Sequence, residues 1–261
     1  MTTSAVEYLD AKTLQGFLPR ERDLDLTIFV PALNEEQNVR ATLENVASAL
    51  ERFSYSWEVI VVDDASTDKT AEVVQRYMTE HAQYSIRLIR RRINIGLSQN
   101  YIDAAFLARG RYYRLVSGDT SDPVETLVAV FSQLGKADMV LPYPTNHDEI
   151  RSWSRQAFSK TYQFLVNILS GYNIQYYNGG ALHLTCNVMR WHTDYHGYSF
   201  QADVITRLLD QGMGYIEIPI LFQARHTGQS RALQVKNFLS VAHFFLDLLI
   251  RRVGRSYRGK V

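Results

Sequence analysis

The chain is 261 residues long, with 46% hydrophobic residues, 21% charged residues and a net charge of +1. The composition is close to the globular average, which excludes wholesale disorder and a multi-span membrane protein. Near-neutrality excludes a general nucleic-acid binder, whose affinity rests on a cationic excess.

The net charge hides a gradient. Residues 231–261 carry seven basic residues and one acid, Asp247, a net of +6, so residues 1–230 carry −5. One cysteine, Cys186, allows no internal disulfide and no cysteine-based metal site, as expected in a reducing compartment.

In chain order, residues 1–25 mix Glu7, Asp10, Lys12, Arg20, Glu21, Arg22, Asp23 and Asp25 with few apolar side chains. This predicts a flexible or surface-lying arm and leaves no room for the apolar stretch of a signal peptide. Apolar strands over residues 26–32, 57–62, 86–89 and 112–116 alternate with predicted helices over 35–52, 69–81 and 98–109. Continuously apolar strands separated by helices predict an α/β fold, a doubly wound and mostly parallel sheet covered on both faces. Ligands of such sheets bind beyond the carboxyl ends of strands, which selects the loops 31–36, 63–70 and 117–122. The second half continues with a strand near 138–141, a helix over 155–169 and a Gly-rich turn at 178–180. A helix near 202–211, a strand over 215–222 and a long helix from 235 follow.

GxGxxG is absent after the first strand and GxxxxGK[ST] is absent throughout, so dinucleotide and P-loop readings lose their support. Strand two is followed by Asp63-Asp64-Ala65-Ser66-Thr67-Asp68-Lys69-Thr70. Carboxylates there can accept hydrogen bonds from a base or a ribose, while the competing reading is that they only cap the next helix. Ser117-Gly118-Asp119-Thr120-Ser121-Asp122-Pro123 suits a divalent cation bridging a diphosphate, since Mg²⁺ and Mn²⁺ take hard oxygen ligands and share them with phosphate. Its competitor is an Asp-Pro turn that starts a helix. Arg87, Arg90, Arg91 and Arg92 beside Asn94-Ile95-Gly96 form either a solvated strand end or a surface for anionic substrate or headgroups.

Lys236, Ser240, His243, Asp247 and Arg251 recur as one polar stripe in an otherwise apolar helix, and Arg252, Arg255, Arg258 and Lys260 follow. The apolar remainder is wider than packing on one sheet requires, as in a segment that lies in an anionic lipid interface. A homodimer or a membrane-protein partner is the alternative, and His243 reads as a solvated residue. In the helix over 155–169, Phe158, Tyr162, Leu165 and Leu169 share a face with Arg151, Arg155 and Lys160 at its start, and core packing is the default reading.

Pro31-Ala32-Leu33-Asn34-Glu35-Glu36, the Asp63 to Thr70 run, Asn94-Ile95-Gly96 and the acidic turn at 117–122 occur in an order and spacing that resemble glycosyltransferase family 2, with its GT-A fold. Gly197-Tyr198-Ser199-Phe200-Gln201-Ala202-Asp203, Glu217-Ile218-Pro219-Ile220 and Arg225-His226-Thr227-Gly228-Gln229-Ser230-Arg231 resemble the branch of dolichol-phosphate mannose synthase and related polyprenyl-phosphate glycosyltransferases. The resemblance implies three segments: an arm over 1–25, a GT-A domain over 26–234 and a membrane-associating segment over 235–261. It implies an inverting transfer of sugar from a nucleoside-diphosphate sugar to a dolichyl- or undecaprenyl-type phosphate, by an enzyme peripheral on the cytoplasmic, inner face of the membrane. A hydroxyl acceptor on a lipid or glycan, and an inactive nucleotide-binding scaffold, are the alternatives.

By the same resemblance Pro31, Asn34, Glu35, Asp63, Asp64, Asn94, Gly96 and Gly118 contact the nucleotide-sugar, and Asp119 holds Mg²⁺ or Mn²⁺. Arg225, Ser230 and Arg231, with Arg151, meet the acceptor phosphate, and guanidinium groups suit that role because they clamp phosphate through paired hydrogen bonds. Asp203 is the candidate base for a hydroxyl acceptor. A lipid phosphate is already anionic and needs none, so Asp203 would then orient basic side chains. Ser117 replaces the first acid of the family's DxD motif, which weakens metal binding. Ser121 stands where a Gln is common, and Leu182 where an Arg is usual.

Overall fold

The computed structural model describes residues 6–8, 22–146, 153–191, 197, 199–223 and 235–258. In chain order the elements are β1 (Val6–Tyr8), β2 (Leu24–Ala32), α1 (Val39–Leu50), β3 (Trp57–Asp63), α2 (Thr70–Glu80), β4 (Ile86–Arg90), α3 (Leu97–Leu107) and β5 (Gly110–Leu115). Then come α4 (Val124–Phe131), β6 (Met139–Pro144), α5 (Trp153–Ser170), β7 (Leu182–Leu184), α6 (Thr185–Met189), α7 (Phe200–Asp210), β8 (Tyr215–Ile220) and α8 (Val235–Arg258).

The strands form one sheet in the order β1-β4-β3-β2-β5-β7-β6-β8. Neighbours pair in parallel, except that β7 runs antiparallel to β5 and β6. All strands but β7 therefore present their carboxyl ends on one edge, where the loops singled out by sequence converge. Along β2, Leu26, Ile28 and Val30 enter the core against α1, α2 and α4, while Phe29 enters the core on the opposite face. That alternation of two buried faces is why the run is continuously apolar.

The structure corrects several expectations. Within the expected arm, Val6–Tyr8 pairs with Leu88, Ile89 and Arg90 and extends the sheet edge as β1. The first helix starts at Val39 rather than near 35, and in the segment before it the backbone N–H groups of Glu35 and Glu36 bond to Thr70 Oγ1 and the Asp68 carboxylate. The Asp122-Pro123 turn does open a helix, α4.

On α8, Phe244 and Leu248 are buried, and the core that receives them includes Tyr162 and Val166 of α5. Much of the polar stripe turns inward. Ser240 is buried, Asp247 accepts from Arg207 of α7 at 2.9 Å, and Arg251 donates to Asp203 at 3.1 Å and Asp210 at 2.8 Å. His243 is exposed. What is left exposed is Leu246, Leu249, Ile250 and Val253 of α8 and Trp153, Phe164 and Ile168 of α5. Among the described residues no helix is long and apolar enough to cross a membrane.

Candidate active site

The loops after β2 and β3 are joined side chain to backbone. Asn34, at φ 57°, donates its N–H to Ser66 Oγ at 2.9 Å, and its side-chain oxygen accepts from the Thr67 N–H at 2.8 Å. Glu35 donates its N–H to Thr70 Oγ1 at 2.8 Å and accepts from Asn38 at 2.7 Å. Asparagine is one of the few non-glycine residues that visit left-handed backbone, and here its side chain bonds across to the loop after β3.

Asp63 and Asp64 are both buried. Asp63 accepts from the Ser66 N–H at 2.9 Å and from Arg90 Nε at 3.3 Å. Asp64 accepts from the N–H groups of Ile95 at 3.0 Å and Gly96 at 2.9 Å, so it fixes the Asn94-Ile95-Gly96 loop at the start of α3. Both carboxylates organise loops, and neither is confined to capping α2. Pro31 lies at the end of β2, and Asn94 is exposed beside this junction.

The arginine cluster resolves into internal partners. Arg90 pairs with Asp63, Arg91 with Asp103 and Asn100, and Arg87 donates to the Leu107 carbonyl at 3.3 Å. Arg92 alone of the four is exposed.

After β5, Gly118 approaches β2 so closely that a Cβ would lie 2.7 Å from the Pro31 carbonyl oxygen, which excludes any larger residue without movement of backbone. Asp119 is buried and accepts from the Ser121 N–H at 3.2 Å, while Thr120, at φ 60°, donates its N–H to Thr42 Oγ1 at 3.1 Å. Desolvation raises the pKa of the buried Asp122 carboxyl, opposed by the Arg114 guanidinium. Among the described residues no group of three or more His, Cys, Asp or Glu side chains converges. The donor set around Asp119 is one carboxylate with the hydroxyls of Ser117 and Ser121 nearby in the turn. It suits a cation that takes its other ligands from a diphosphate, and not one caged by protein.

Asp203, the candidate base, is fully buried in the first turn of α7. Its oxygens accept from Trp191 Nε1, from Arg207 Nε at 2.9 and 3.0 Å and from Arg251 at 3.1 Å. Those four contacts fill the acceptor positions of a carboxylate. Asp203 thus holds two basic side chains, Arg207 and Arg251, the arrangement expected of it with a lipid-phosphate acceptor, and ties α7 to α8.

Arg151, Arg225, Ser230 and Arg231 lie outside the described residues, but the segments that lead to them meet. Asn146 accepts the Phe222 N–H at 3.0 Å and donates to its carbonyl at 2.8 Å. Gln223 donates its N–H to the Ser121 carbonyl at 3.1 Å. Sequence reading missed Asn146, Thr42 and Arg114, and it named Gln201 only as part of a motif. Only Arg114 carried a signal, as a charge in a buried strand, which is rare without a partner.

The profile of glycosyltransferase family 2 matches residues 27–190. The dodecaprenyl-phosphate galacturonate synthase of Rhizobium johnstonii is 30% identical over 46% of this chain and 35% of its own length. The undecaprenyl-phosphate 4-deoxy-4-formamido-L-arabinose transferase of Pectobacterium atrosepticum is 23% identical over 86% of this chain and 66% of its own length. The chain thus spans about a third of the first of these relatives. Glucosyl-3-phosphoglycerate synthase from Mycobacterium tuberculosis, solved with Mn²⁺ and UDP-glucose, shares the fold at a TM-score of 0.63, with 12% identity over 95% of this chain and 87% of that one. By the profile over residues 27–190 the chain belongs to glycosyltransferase family 2, and its sheet order and structural likeness give it a GT-A type fold.

Proposed function

We propose that the chain transfers a sugar, with inversion, from a nucleoside-diphosphate sugar to a polyprenyl phosphate at the cytoplasmic surface of a membrane. The observation that carries this reading is the bond between Gln223 and Ser121, which starts the Arg225 to Arg231 segment beside the turn that bears Asp119. The turn that would hold a cation for the diphosphate and the segment that would meet the acceptor phosphate thus start beside one another. The relatives named as polyprenyl-phosphate transferases support the acceptor class.

In this mechanism the loops after β2 and β3 bind the nucleoside, with Asn34, Glu35, Asp63 and Asp64 setting their shape. A divalent cation on Asp119 would supply charge neutralisation to the departing diphosphate. Arg225 and Arg231 stabilise the same developing charge and hold the acceptor phosphate, joined by Ser230 and Arg151. The acceptor oxygen is anionic near neutral pH and attacks the anomeric carbon opposite the leaving group without a protein base. The full commitment of Asp203 favours this acceptor over a hydroxyl, which would need a base within reach.

The outward apolar face of α5 and α8 rests on anionic lipid in this reading. Trp153 is 81% exposed and Ile250 61%, and the basic residues of 231–261 supply the complementary charge. The test is a panel of radiolabelled UDP-, GDP-, CDP- and dTDP-sugars offered with polyprenyl phosphate in anionic vesicles and Mn²⁺ or Mg²⁺. Label should enter the organic phase from one class of donor, and absence of transfer from every donor in such a panel counts against the reading.

A further inference from the structure

The turn at residues 117–122 is built over a buried cation. Arg114 on β5 is completely buried, with its guanidinium 5.5 Å from the Phe131 ring of α4. Its Nε donates to the Gly180 carbonyl at 3.1 Å, and Nη2 stands 3.6 Å from Asp122 Oδ1. The two terminal nitrogens of Arg114 and Asp122 Oδ1 make no hydrogen bond within the protein, so the contact between them is one of charge.

The other end of this link is rigid. Gly180 has φ 64°, and a Cβ there would lie 2.7 Å from the Leu115 carbonyl oxygen, while one on Gly179 would lie 2.2 Å from that of Pro142. Gln201 of α7 accepts the Gly180 N–H at 3.1 Å. The Gly180 residue is thus held through its N–H by α7 and through its carbonyl by Arg114. Directly across β7 from Arg114 stands Leu182, an apolar partner with no demand for a charge.

A buried ion pair is often replaceable by apolar side chains of similar volume without loss of stability, so packing alone gives no reason for a guanidinium here. Placement of the turn does. With Ser117 in place of a second carboxylate, a cation bridging to the donor is held by Asp119 alone, and the affinity for diphosphate depends on where the turn puts it. We propose that Arg114 is a positioning residue for donor binding, a fixed internal cation that anchors the Asp119 turn to the Gly180 residue through Asp122. This rests on the reading of that turn as the diphosphate site.

The test is calorimetric titration of wild type, Arg114→Met and Asp122→Asn with UDP, GDP, CDP and dTDP, and with the corresponding nucleosides, with and without Mn²⁺. Folded Arg114→Met should bind nucleoside as wild type does, and nucleoside diphosphate with Mn²⁺ at least tenfold more weakly, with Arg114→Lys recovering part of the loss. Unchanged diphosphate affinity, or an equal loss for nucleoside and diphosphate, overturns the proposal and leaves the function intact. If Arg114→Met does not fold, Asp122→Asn decides by the same selective loss or its absence. Wild type that binds none of the four nucleotides overturns the functional reading and this proposal together.

Discussion

The Gln223 N–H donates to the Ser121 carbonyl, fastening the end of the β8 strand segment to the turn after β5. Thr126 strengthens the junction by donating to the Leu221 carbonyl at 2.5 Å, and Asn146 closes it from the β6 side. The turn that bears Asp119 and the segment that follows β8 are thereby anchored to one another at their roots.

Asn146→Ala should leave nucleotide binding near wild type and raise the KM for polyprenyl phosphate several-fold, because it loosens the roots of the segments bearing Arg151 and Arg225 and touches neither loop of the nucleoside. Steady-state kinetics with each substrate varied in turn would check this, and a KM change confined to the donor would refute it.

Asp203→Asn separates a base from a structural tie. Leaving Arg207 and Arg251 short of their counter-charge should destabilise the fold by about 3 kcal/mol, the size found when one partner of a buried pair is removed. Urea denaturation measures that cost, and nucleotide affinity should hold. A variant with wild-type stability and kcat lowered a thousandfold would restore Asp203 as the base.

His183 makes stability depend on pH. Burial pushes its pKa down to about 4 from 6.5, so between these values the unfolded chain binds a proton that the folded chain does not. Its contribution is present above pH 6.5 and is lost as pH falls toward 4, with a slope of up to about 1.4 kcal/mol per pH unit. His183→Gln should flatten that part of the profile in urea denaturation series at pH 7, 6 and 5; an unchanged slope would mean another group carries it.

Charge placed on the outward face should release the protein from lipid without unfolding it. Phe164→Glu with Ile250→Glu is expected to reduce co-sedimentation with anionic vesicles at least tenfold and to leave the melting temperature within a few degrees, since both side chains are largely exposed. Retained binding would move the membrane contact elsewhere.

Much of the scaffold was legible because β2 to β5 are parallel strands buried on both faces, and such strands read as unbroken apolar runs. β1 and β7 have three residues each, too few for periodicity to register. α4 was legible only as the competing reading of Asp122-Pro123, the turn that starts it. Of the proposed site residues, Asp63, Asp64 and Asp119 stood out by residue type at strand ends, and Asn34 through the resemblance to the family. Arg114 showed only as a charge in a buried strand, and its link to Gly180 was not legible because that partner is backbone brought near by the register of β5 against β7. The polar stripe of α8 was visible, but its inward direction was not, since it depends on Asp203, Arg207 and Asp210 presented by α7.

The central claim is the acceptor. Wild-type protein should be given one radiolabelled nucleotide-sugar that it binds, together with vesicles carrying either a polyprenyl phosphate or the free alcohol of the same chain length. The account expects label on the phosphate and none above background on the alcohol; product from the alcohol alone would contradict it.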